Sequence, residues 1–76
     1  MNEAQRKKLA TMSASVDSVR SQVQELKDEE QDKFDNMPDG LQQGQQGKRL
    51  EEIVEQLDEA AEKLSEAYDA IDSAAA

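Results

Sequence analysis

Two stretches of this chain place apolar residues at alternating steps of three and four. The first is Leu9, Met12, Val16, Val19, Val23 and Leu26. The second is Leu50, Ile53, Leu57, Ala60, Leu64, Ala67, Ile71 and Ala74. This spacing keeps one side of a helix apolar turn after turn. The stretches also match each other in reverse order. Leu26 pairs with Leu57, Val23 with Ala60, Val19 with Leu64, Val16 with Ala67, Met12 with Ile71 and Leu9 with Ala74. The pattern predicts an all-α fold: an antiparallel two-helix hairpin of coiled-coil type, formed by residues 1–76 as a single domain. Val16 and Val23 facing alanines would let the helices approach closely.

Helix 1 is expected over residues 2–35. Asn2 with Gln5 three positions later reads as a capping box. The next seam positions after Leu26 are Glu30 and Lys33, so Phe34 is expected to take over and pack against Leu50, Ile53 or Val54. A loop is expected over residues 36–44. Pro38 blocks continuation of the helix and disfavours helical geometry at Met37. Pro38-Asp39-Gly40 supplies turn chemistry, with Gly40 free to adopt positive φ. Phe34, Met37, Pro38 and Leu41 are the expected loop anchors. Gly44 and Gly47 leave Gln45 or Lys48 as the start of helix 2. We take Gln45, with the helix running to about residue 73.

A second stripe lies beside the first on helix 2: Val54, Ala61, Tyr68 and Ala75. One broad face packed on helix 1 would account for it. So would a second contact, in which two hairpins form a four-helix bundle. A chain this short has difficulty burying a sufficient core alone. The expectation is therefore a homodimer, with Val54, Ala61 and Tyr68 in self-association.

Composition narrows the chemistry. There is no Cys, His or Trp, which removes disulfides, thiolate metal sites and Ser-His or Cys-His nucleophile pairs. No Walker-type phosphate loop is present. The segment from Asp35 to Gly40 has the look of a calcium loop. It carries Met37 at the third position and Gln46 at the twelfth, where that loop needs oxygen ligands. Glu-x-x-His metal pairs cannot be built. No enzyme activity, cofactor or metal is expected. Nothing at the N-terminus reads as a signal peptide, and no apolar run is long enough to span a membrane.

The formal charge is −9, spread unevenly: +2 over residues 1–24, −3 over 25–49 and −8 over 50–76. This argues against direct nucleic-acid or anionic-membrane binding and suits a basic protein partner. On helix 2, Glu51, Glu55, Asp58, Glu62, Glu66 and Asp69 recur every three to four residues and form a candidate partner-binding face. A solvated coiled-coil exterior explains the same pattern. A sharper form of the binding reading is a DNA-mimicking surface. Neighbouring helical carboxylates stand ~5–6 Å apart, comparable to phosphates along a strand.

The stretch Asn36-Met37-Pro38-Asp39-Gly40-Leu41-Gln42, with the acidic helix over 50–64, resembles small acidic proteins of bacteriophages and prophages. These combine an N-M-P-x-G/N-L-Q loop with a helix of E-E-A and L-E-E-A units. In them a Ser often stands at the position of Gly44, which implies that Gly44 is a helix N-cap. The resemblance covers about half the chain. It implies the hairpin fold, a cytoplasmic setting in a bacterial host and an accessory role through protein–protein binding. It carries over no catalytic or binding residue. A coiled-coil spacer or assembly element is the alternative from a different class.

Overall fold

The computed structural model describes residues 1–76 and contains three helices: α1 (Glu3–Asp35), α2 (Asp39–Gln42) and α3 (Gln45–Ala75). α1 and α3 lie side by side as an antiparallel hairpin, and α2 is a single turn across its closed end. The result is a rod of 58 × 14 × 12 Å.

The start of α1 is the predicted capping box. Asn2 Oδ1 accepts from the Gln5 backbone N–H at 2.8 Å, and Gln5 Oε1 accepts from the Asn2 N–H at 3.1 Å. Two of the helix's four orphan donors are thereby satisfied. At the other end Asn36 remains in the right-handed region and donates to Asp32 O, and Met37 donates to Phe34 O at 3.1 Å. Pro38, extended at ψ 146°, then redirects the chain.

The expected open loop over 36–44 is instead occupied by α2. Its turn closes through Leu41 N–H and Gln42 N–H, both donating to Pro38 O. Gly40 is helical within it, and no residue of the chain has positive φ. Pro38 is thus the extended N-cap of a new helical turn, and its carbonyl accepts the bonds that close it. Gly44 is extended (φ −84°, ψ −175°) and is the N-cap of α3, which begins at Gln45 as expected and runs on to Ala75.

The seam between α1 and α3 is rotated from the predicted one. On α1 the positions turned inward are Leu9, Ser13, Val16, Arg20, Val23, Lys27, Glu30 and Phe34. On α3 they are Gly47, Leu50, Val54, Leu57, Ala61, Leu64, Tyr68, Ile71 and Ala75. Both sets keep the three-four alternation. On α1 one predicted row is replaced by the row on its far side. On α3 the added row is Val54, Ala61, Tyr68 and Ala75, while of the predicted row Ile53 and Ala60 stay half-buried and Ala67 and Ala74 are exposed. Met12, Val19 and Leu26 are left 51, 47 and 52% exposed. The bond from Lys27 Nζ to Asp58 Oδ1, 3.1 Å, ties the helices in register. Ala61, buried, and Tyr68, half-buried, take the more inward places that were expected of Ala60 and Ala67. Arg20 and Lys27 can occupy seam positions because their alkyl stems cover apolar surface while their charged ends reach water. Arg20 donates to Asp17 Oδ1 at 2.8 and 3.0 Å, and to Gln24.

Candidate functional site

At the closed end, the residue that ties the turn together is Gln42, which sequence reasoning missed. Its side-chain Nε2 donates to Phe34 O at 2.8 Å, a second donor to the carbonyl that Met37 N–H also reaches. Its backbone rests directly on Gly47: a Cβ there would overlap the Gln42 carbonyl. Gly47 is buried. The available signal was a glycine in the first turn of a helix, which needs a close approach to offset its cost.

Of the expected anchors, Phe34 and Met37 are half-buried and Pro38 is exposed. Phe34 lines a shallow groove together with Val54, one of its three expected partners. Leu41 is not an anchor. α2 turns it outward, and it is 53% exposed. On the rod's broad apolar side, Lys33, Met37, Gln46, Arg49 and Leu50 line a second groove. Its two cations are already engaged. Lys33 Nζ pairs with Glu30 at 2.8 Å, which holds the ammonium above its ordinary pKa, and Arg49 pairs with Glu52 at 3.2 Å.

Glu51, Glu55, Asp58, Glu62, Glu66 and Asp69 are all exposed on α3, although Asp58 reaches Lys27 of α1 and Glu51 and Glu55 line a groove shared with Gln31 and Phe34. Among these six, only Asp58 has a cation within 4 Å, the ammonium of Lys27. The other nearby pair, Lys63 with Glu59 at 3.1 Å, leaves them untouched. They form a band of like charge at i, i+3 and i, i+4, an arrangement that repels itself unless a counter-charge binds. Asp35 accepts from Gln31 Nε2 at 3.0 Å and ends α1, while Asp39 begins α2. No three carboxylates converge as metal ligands would. The grooves along the rod are shallow and open. No helix is long and apolar enough to cross a membrane.

Val54, Ala61 and Tyr68 all belong to the hairpin seam. Ala61, 4% exposed, is the one side chain of the apolar stripes that a single chain buries. Much of the area expected for self-association is therefore taken up by the helix within the same chain. The apolar positions left open are in the opposite rows: Met12, Val19 and Leu26 on α1, with Ala67 and Ala74 on α3. No family model matches the chain, and no curated protein and no solved structure is significantly similar to it.

Proposed function

We propose that this chain is a small, non-enzymatic accessory protein of phage type, acting by protein–protein binding in the cytoplasm of a bacterial host. It works as a pair of hairpins that form a four-helix bundle. The acidic exterior of α3 engages a basic host or phage protein and modulates or antagonises it. The observation that carries this reading is the division of the rod's surface. One side keeps large apolar residues exposed, and the outer side of α3 carries a band of carboxylates with few counter-charges. Exposed apolar rows of this kind mark association surfaces. A dense single-sign field favours encounter with partners of opposite charge.

The test is the triple variant Glu55→Lys, Glu62→Lys and Glu66→Lys, compared with the native chain in affinity capture from bacterial lysate. A basic protein retained by the native chain, released by rising salt and lost with the triple variant supports the acidic face. A DNA-mimicking role adds that DNA competes for the captured protein. Equal recovery by both chains, with helicity intact, would sink the reading. It would favour the structural one instead, a spacer or assembly element whose 58 Å rod sets a distance.

A further inference from the structure

The apolar stripes of this hairpin are not centred on each other. Each is centred between the seam and one shared side of the rod. On α1 that side carries Met12, Val19 and Leu26, spaced by seven, and on α3 it carries Ile53, Ala60, Ala67 and Ala74. Both rows open on the same side. Lys33, which continues the α1 row, and Gln46, which continues the α3 row, line one groove. The reverse side is mixed and has no large exposed apolar residue: Gln31, Glu51 and Glu55 flank Phe34 and Val54 in one groove there, and Arg6, Lys7 and Asp72 flank Ala10 and Ala75 in another. Two helices forming a complete unit would aim their stripes at each other. In a four-helix bundle each stripe aims at the common axis, about 45° away from the neighbouring helix. The observed rotation is of the second kind.

We infer that the apolar side is covered by a second copy of the chain, laid with both turns at the same end, so that α1 of each copy lies on α3 of the other. This rests on the reading that the chain pairs with itself, and it specifies the face and the direction.

Three observations favour it. The first is size. With the turns together, the open rows match in antiparallel register: Met12 meets Ala74 of the second copy, Val19 meets Ala67, and Leu26 meets Ala60. Each layer sets a large side chain on a methyl, and two-fold symmetry repeats the match. With the turns at opposite ends, large residues meet large ones along α1 and alanines meet alanines along α3. The second is charge. The arrangement with turns apart lays one acidic stretch of −8 along another, whereas turns together set it beside α1, whose first 24 residues carry +2. The third is area. The rod's side projects to about 800 Å² (58 by 14 Å), close to what one partner contributes to a standard stable interface.

The experiment places a single nitroxide label on Asp39→Cys, an exposed position in a chain with no other cysteine. Sedimentation equilibrium gives the mass, and pulsed dipolar spectroscopy gives the distance between labels. The expected result is twice the 8.5 kDa chain mass with the labels within about 25 Å, since neighbouring helix axes lie 8–10 Å apart. A dimer with labels near the full 58 Å length would overturn the direction and leave self-pairing standing. A monomer without dipolar modulation would overturn both.

The face is tested by Val19→Glu, expected to weaken pairing by more than about 100-fold because two carboxylates are buried per dimer. Gln24→Glu, on the reverse side, should leave the dimer intact. An undiminished Val19→Glu dimer would overturn the face. Should that variant lose its helicity, the label distance in the otherwise native chain decides.

Discussion

Ser13 is one of only three buried residues, and its hydroxyl has no hydrogen-bond partner. A buried unmade hydrogen bond costs about 1–3 kcal/mol, and Ser is a weaker helix former than Ala. Ser13→Ala is therefore expected to stabilise the fold by about 1 kcal/mol, read as a higher urea midpoint at unchanged slope. A lower midpoint would mean the hydroxyl has a partner in solution. Gly47→Ala should go the other way. In an open helix the change gains about 1 kcal/mol. Here the new methyl meets the Gln42 backbone, which cannot rotate aside. The expected net loss is about 1–3 kcal/mol, checked in the same titration. Asn2 and Gln5 were legible because both halves of the capping box lie within four residues. Ser13 was not, because a serine one place outside an apolar stripe reads as polar rim until the helix rotation is known.

At the scale of the elements, the spacing of apolar residues specified two long helices and their antiparallel order, because three-four alternation sets the width of a face. It did not specify which edge of a broad face meets the neighbour first. That choice placed Val54, Ala61 and Tyr68 inside the hairpin and left Met12, Val19 and Leu26 outside it. α2 escaped sequence reading because Pro-Asp-Gly suits a turn and a first helical turn equally well. Along α3, Glu62 has Asp58 four positions before it and Glu66 four positions after, with no cation of its own. Glu62→Lys converts two repulsions into attractions and should stabilise α3 by about 0.5–1 kcal/mol, seen as a raised melting temperature at low salt that fades in high salt. A drop in melting temperature would show that the acidic band does not strain the helix.

For the whole molecule, the tie at the closed end has a kinetic consequence. Gln42 and Phe34 are eight residues apart, and Gly47 meets Gln42 only five residues on. At the open end, Leu9 and Ala75 close a segment of more than sixty residues. Short loops cost little entropy to close, and long ones become cheap only after inner layers have formed. Folding is expected to zip from the turn outward. Amide exchange in the native state should then be slowest beside the turn and accelerate steadily toward both termini. Uniform protection along the rod would contradict a zipper. If zipping holds, Gly47 governs how fast the chain folds, whereas a truncation near the open end, such as Ile71→Ala, mainly shortens how long it stays folded.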